Sequence, residues 1–173
     1  AGMVGPGSEC FGFDDELSRD HDWGPGFCLW LDDEDFRNIG GDLQREYEAL
    51  PKVYKGFGPR EVSPGEEHRT GVCSISGFYR RYTGLDRPPG TEEEWRRIPE
   101  SNLALCTNGK LFRDPAGAFT AWRRQLLAHY PEPLRRKKIA RFTFLAGQSG
   151  QYNVWRAKQR EALFQTCWAV MRF

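Results

Sequence analysis

At 173 residues the chain can hold one domain, or one domain with a few extra helices, and its 14% aromatic content supplies enough side-chain volume for a packed core. Lys and Arg number 25 against 24 Asp and Glu, so the charge balance gives no argument for a nucleic-acid or membrane surface. The apolar runs are far too short for a bilayer span, and no signal peptide is visible. The cysteines (Cys10, Cys28, Cys73, Cys106 and Cys167) are odd in number, widely spread and form no C-x-x-C pair. That argues against zinc and against a disulfide framework. It fits small core residues of a reduced, cytoplasmic protein.

Taken in chain order, residues 1–7 read as a short strand ending in the Gly5-Pro6-Gly7 turn, and residues 8–19 as a loop or short helix. A strand is expected from Asp20 to Leu31, interrupted at Gly24-Pro25-Gly26 by a bulge or an edge. Asp32 or Asp33 can cap a helix that runs to about Leu50, with Phe36, Ile39, Leu43, Tyr47 and Leu50 on one side and Pro51 ending it. After a Gly-, Pro- and charge-rich loop, residues 70–76 read as a core strand and Gly77 to Tyr82 as a short aromatic helix. Thr91-Glu-Glu-Glu94 before Trp95 forms a capping box. Asn108-Gly109 signals a tight turn, with a strand at Leu111-Phe112-Arg113. From Gly117 onward the pattern is helical: Phe119, Trp122, Leu126 and Leu127 form one stripe, Pro131 or Pro133 opens the next helix, and a last one carries Val154 to Val170.

The layout is α/β first and all-α second, divided as 1–116 and 117–173. Both ends read as cut, since the chain opens inside an apolar, glycine-rich segment and closes within a helix-like run.

One stretch carries chemistry. Gly7-Ser8 is followed, after eleven intervening residues, by Asp20-His21-Asp22. Gly-Ser offers a bendable backbone with free N–H groups and a hydroxyl. On an extended segment Asp20 and Asp22 share a side, because strand side chains alternate with period two, and His21 faces away. Two carboxylates so placed suit Mg²⁺, which prefers oxygen ligands. Either dipeptide pattern alone is common in solvated loops; their order, their compact spacing and the apolar strand that follows (Phe27 to Leu31) raise the functional reading above that background.

The string Gly7-Ser-Glu-Cys-Phe-Gly-Phe-Asp-Asp-Glu-Leu-Ser-Arg-Asp-His-Asp-Trp-Gly-Pro25 resembles the signature of the DNA-polymerase-β-like nucleotidyltransferase superfamily, and within it a bacterial branch described only as a domain of unknown function. Phe78-Tyr-Arg-Arg-Tyr82, Thr107-Asn-Gly109, Phe112-Arg-Asp114 and Gln148-Ser-Gly-Gln-Tyr-Asn153 fit the same branch, so the resemblance covers nearly the whole chain. It implies a two-layer α/β (α+β) catalytic domain with a mixed sheet, followed by a helical bundle. The implied activity is transfer of a nucleoside monophosphate, AMP from ATP, to a hydroxyl acceptor. Gly7 and Ser8 would hold the triphosphate, and Asp20 and Asp22 would bind two Mg²⁺ ions. Active members also place a third carboxylate on a neighbouring strand. Here the matching strand, Gly71 to Ile75, has Cys73 where the acid belongs. Glu61, Glu66, Glu67 and Asp114 are the alternatives, and Asp114 reads more readily as a helix cap. Without a third acid the chain would be a nucleotide-binding regulatory or interaction module that has lost catalysis.

Two further groups stay open between readings. Arg135-Arg136-Lys137-Lys138 with Arg141 is either a phosphate clamp, through Lys138 and Arg141, or a solvated helix face. The polar run around Gln151 and Tyr152 either lines a nucleotide cleft or is a helix–helix turn. The expected partners are a nucleotide and a small-molecule or protein acceptor that the sequence does not identify; a membrane is not among them, and the charge balance disfavours nucleic acid.

Overall fold

The computed structural model describes residues 1–15, 23–60, 69–128, 130–145, 147, 155 and 159. The chain divides into two compact units, Ala1–His129 and Tyr130–Phe173. Asp20, His21, Asp22, Glu61, Glu66, Glu67, Gln151 and Tyr152 lie outside the described residues.

The first unit begins with β1 (Gly2–Met3) and α1 (Ser8–Phe11), followed by β2 (Cys28–Leu31), α2 (Asp33–Glu48), β3 (Gly71–Ser74) and α3 (Ile75–Thr83). It continues with α4 (Glu92–Arg97), α5 (Glu100–Thr107), β4 (Lys110–Leu111) and α6 (Ala118–Leu127). The four strands form one sheet in the order β3-β2-β1-β4. β2 and β3 run parallel, from Cys28 opposite Gly71 to Leu31 opposite Ser74, while β1 is antiparallel to both β2 and β4. The mixed α+β architecture expected from the sequence is therefore present.

Its layering differs from the expectation. Phe27, just before β2, meets Tyr47 of α2 edge-on at 5.1 Å. Trp30, three residues on and so of opposite parity in the pleat, meets Phe78 of α3 at 5.5 Å and Phe119 of α6 at 4.2 Å. Helices cover both faces, which makes three layers rather than two. The aromatic face is the centre of the core: Tyr79 and Phe119 are fully buried, and Tyr79 stacks on Trp122 of α6 at 4.4 Å. The Tyr79 hydroxyl donates to the Phe119 carbonyl at 3.3 Å, which satisfies the one polar atom that this ring brings inside. Through Phe119 and Trp122, α6 packs as part of the first unit, although its sequence reads as the opening of an all-helical segment.

Several boundaries moved for identifiable reasons. β2 starts at Cys28, after Gly24-Pro25-Gly26, rather than running through from Asp20, because the described residues 23–27 are not strand. Asp32 caps α2 as expected, its carboxylate accepting from the Asp35 N–H at 2.8 Å, with three acidic residues in the first turn where the helix dipole favours them. The buried side of α2 is turned from the expected stripe: Gly40 is buried, while Phe36 and Ile39 are 39% and 48% exposed. Gln44 contributes to that turn, since its Oε1 accepts from the Val72 N–H at 2.8 Å along the open edge of β3. α3 begins at Ile75, capped by the Ser74 hydroxyl, two residues before the expected Gly77. α5 is a separate helix that the sequence did not announce; Ile98 leaves the helical region and Pro99 opens the new start. β4 comes one residue earlier than expected and lacks Phe112 and Arg113.

The capping box of α4 is present as the sequence predicts, Thr91 Oγ1 accepting from the Glu94 N–H and the Glu94 carboxylate from the Thr91 N–H. Arg87 adds two hydrogen bonds to the same carboxylate, at 2.5 and 3.1 Å, and Gly90 N–H a further one at 2.8 Å. The Arg87 guanidinium and then the Gly90 N–H hold the Glu94 carboxyl down to about 2 from an ordinary 4.5. A folded-state value below the unfolded one means that Glu94 stabilises fully above the unfolded value and loses that effect as pH falls towards about 2. Glu94→Gln should therefore lower the thermal midpoint near neutral pH, and the gap to the wild type should close on acidification through that window. A gap that persists unchanged at the acid end would contradict this role.

In the second unit α7 (Glu132–Leu145) buries Leu134 and carries Glu132 paired with both Arg135 at 3.4 Å and Arg136 at 2.8 Å.

Candidate functional site

The glycine turn of the sequence motif is built by the end of β1. Val4 is buried; Gly5 and Gly7 follow with φ of 124° and 125°, a region open to glycine and costly for other residues. Ser8 then opens the four-residue α1, which Gly12 closes in the left-handed conformation. What holds the turn comes from a hundred residues away. The Asn108 side chain donates from Nδ2 to the Gly5 carbonyl at 2.8 Å and accepts from the Gly5 N–H on Oδ1 at 3.0 Å. A single side-chain amide thus satisfies both backbone groups of Gly5, as a neighbouring strand would. Gly109 adds a backbone bond from its N–H to the Cys10 carbonyl at 2.8 Å. Arg123 of α6 fixes the far side, donating to the carbonyls of Thr107 at 2.6 Å and Gly109 at 3.2 Å. Thr107-Asn108-Gly109, a turn signal by sequence alone, is the clamp of the Gly-Ser segment.

Two arginines and a glutamate surround the same turn. Arg60 Nη2 pairs with Glu9 Oε1 at 2.5 Å, the two side chains being 11% and 25% exposed. Arg69 Nη1 donates to the Pro6 carbonyl at 3.2 Å. The Arg69 backbone is tied to the sheet by the Cys28 thiol, which donates to its carbonyl at 3.1 Å. A Cβ on Gly7 would lie 2.2 Å from Glu9 Oε2 and 2.8 Å from Arg69 Nη1, so the missing side chain makes room for both charged ends.

The other candidates from the sequence fall as follows. Gly7 and Ser8 are at this turn. Cys73 lies beside Trp30 in the parallel register and is partly buried. Burial pushes its thiol up to about 11, with the Arg81 guanidinium opposing, so it is a neutral thiol at physiological pH and supplies no negative charge. The Asp114 carboxylate is engaged at the first turn of α6, accepting from the Thr120 N–H at 2.8 Å and the Thr120 hydroxyl at 2.5 Å. It occupies the cap role that its sequence context allows. Lys138 and Arg141 belong to α7 of the second unit, where the Lys138 ammonium sits 4.0 Å from the centre of the Tyr130 ring. Among the described residues no group of three or more His, Cys, Asp or Glu is placed to hold a metal ion. Asp20 and Asp22 are not among those residues.

Sequence reasoning missed Glu9, Arg60, Arg69 and the bridging role of Asn108. Arg60 and Arg69 lie outside helices and strands and Glu9 lies in a four-residue helix too short to show a period, and each of these residues acts on a partner distant in the chain. The polar Asn in an otherwise apolar neighbourhood of α5 and β4 was the one available hint.

Residues 95–173 match the family model described as Domain of unknown function (DUF4037). The match starts at Trp95 of α4 and takes in the Asn108-Gly109 clamp and α5 to α7, and it leaves out the Gly7 to Asp22 segment. Comparison with curated proteins and with solved structures returned no match.

Proposed function

We propose that the chain is a Mg²⁺-dependent nucleotidyltransferase of the DNA-polymerase-β-like kind, moving AMP from ATP onto a hydroxyl acceptor. The observation that carries this reading is the Gly5–Ser8 turn, locked by Asn108 and flanked by Arg60 and Arg69, at the required spacing before Asp20 and Asp22. Phosphate binding by a backbone turn needs a chain that lets an anion come close, which glycines at positive φ supply; the Gly5 N–H itself is taken by Asn108, which fixes the turn. The guanidiniums suit phosphate oxygens in charge and in shape. Asp20 and Asp22 are the oxygen donors that would hold Mg²⁺, which when bound supplies neutralisation of charge on the phosphate oxygens. In the transfer the acceptor oxygen forms a bond to the α-phosphorus, the bond from that phosphorus to the β-phosphate oxygen breaks, and pyrophosphate leaves. The acceptor proton passes to a base.

That base is where a second reading has its own support. Cys73 stands where the third acid belongs, and Asp114 is occupied at α6. Both features favour a nucleotide-binding module that does not transfer. No helix among the described residues is long and apolar enough to cross a membrane, and Cys10, Cys28, Cys73 and Cys106 are free thiols. A cytoplasmic setting, where ATP is available, is part of the proposal.

Calorimetry with ATP and Mg²⁺, paired with pyrophosphate release in the presence of candidate alcohol and protein acceptors, separates the two readings. Binding with acceptor-dependent release is the expected result. Binding without release on every acceptor supports the module; absence of binding removes both.

A further inference from the structure

The contacts at the glycine turn contain an anion already. Glu9 sends its carboxylate back over Gly7, into the space that any side chain at position 7 would fill. There it neutralises Arg60, whose side chain is only 11% exposed and which would be costly to leave unpaired at that depth. Arg69 faces the same point from the Pro6 side. Two guanidiniums, one carboxylate and a pair of positive-φ glycines converge on one backbone turn, with partners drawn from three separate parts of the chain.

We propose that Glu9 is a resident stand-in for phosphate, and that Arg60 and Arg69 bind a phosphate group of the incoming ligand once the Glu9 carboxylate leaves. The inference rests on the nucleotide reading only in that it assigns the phosphate to a nucleoside triphosphate; the site itself is a phosphate site whatever carries the group. A carboxylate spreads one charge over two oxygens, whereas a terminal phosphate carries close to two charges over three. Exchanging one for the other leaves Arg60 with a matching anion, brings a second negative charge towards Arg69 and frees Glu9 to solvent. Glu9 therefore sets a threshold: it keeps Arg60 folded in place in the empty protein and competes with the ligand for it.

Titration of the full chain with inorganic pyrophosphate, and separately with ATP and Mg²⁺, tests this with the variants Glu9→Gln, Arg60→Gln, Arg69→Gln and the double variant Glu9→Gln/Arg60→Gln. Glu9→Gln should bind pyrophosphate about tenfold more tightly than the wild type, because the competing charge is gone. Arg60→Gln and Arg69→Gln should each bind about tenfold more weakly or worse, as loss of a charge-assisted bond to phosphate requires. The double variant removes both charges without leaving Glu9 unpaired, so it reports on Arg60 even if the single variant fails to fold. Affinity unchanged or weakened in Glu9→Gln, or a folded double variant that binds pyrophosphate as tightly as Glu9→Gln alone, would overturn the inference. The two claims fail separately. If pyrophosphate affinity moves as expected while the wild type shows no Mg²⁺-dependent ATP binding, the phosphate site stands and the nucleotidyltransferase reading falls. If ATP is transferred while these substitutions leave pyrophosphate affinity unmoved, the reverse holds.

Discussion

Gly109→Ala should destabilise the first unit by about 3 kcal/mol, enough to lower its thermal midpoint by about 10 °C. Two costs combine. Gly109 has φ of 63°, where an Ala costs about 1 kcal/mol. The added Cβ would also lie 2.0 Å from the Met3 carbonyl oxygen and 3.0 Å from the Val4 Cα, both backbone atoms with no freedom to swing aside. The chain must shift β4 away from β1, and the Asn108 bridge to Gly5 moves with it. Gly84 provides the control: its φ is 74°, and a Cβ there would meet nothing within 4 Å. Gly84→Ala should thus cost about 1 kcal/mol, the conformational part alone. Equal losses in the two variants, measured by thermal or denaturant unfolding, would mean that the Met3 approach contributes nothing. Nucleotide binding should weaken in Gly109→Ala at temperatures where the protein is still folded, and stay as in the wild type in Gly84→Ala.

Asp20→Asn/Asp22→Asn should abolish Mg²⁺-dependent nucleotidyl transfer while leaving the thermal midpoint within a few degrees of the wild type or raising it. Removing one preorganised donor to a developing oxyanion costs ~10²–10³ in rate, and removing both carboxylates proposed to hold Mg²⁺ removes more charge than that. The stability expectation follows from the same charges. If the proposed site brings the two carboxylates together, they repel when no cation sits between them, and neutral amides in their place relieve the fold. Loss of transfer through unfolding would show as a fallen midpoint; loss at an unchanged midpoint assigns the effect to the site.

What could be read from the sequence was local. The capping box of Thr91 and Glu94, the Asp32 cap of α2 and the Asn108-Gly109 turn each depend on residues within a few positions, and each is present. β1 and β4, two residues each, are strands only because they pair with one another and, for β1, with β2, which no window of sequence contains. The buried side of α2 went astray because Gly40 is its buried residue and Gln44 bonds the edge of β3, and neither is apolar by type. At the candidate site the glycines were legible and their support was not. Asn108 reaches Gly5 across 103 positions and Arg60 reaches Glu9 across 51, and a polar side chain announces no partner at such a distance. Asp114 was legible in both of its possible roles; only the position of Thr120 decides between them. Cys73 was legible as the residue standing where the resemblance expects an acid, and its partly buried thiol is uncharged there.

The most direct test of a Mg²⁺-dependent nucleotide site formed by the glycine turn and Asp20 and Asp22 is calorimetric titration of ATP into the wild type and into Asp20→Asn/Asp22→Asn, each with and without Mg²⁺. The expected result is one ATP per chain in the wild type, tightened by Mg²⁺, with that tightening absent in the double variant. Equal Mg²⁺-dependent affinity in the two proteins, or no ATP binding to the folded wild type, would contradict it.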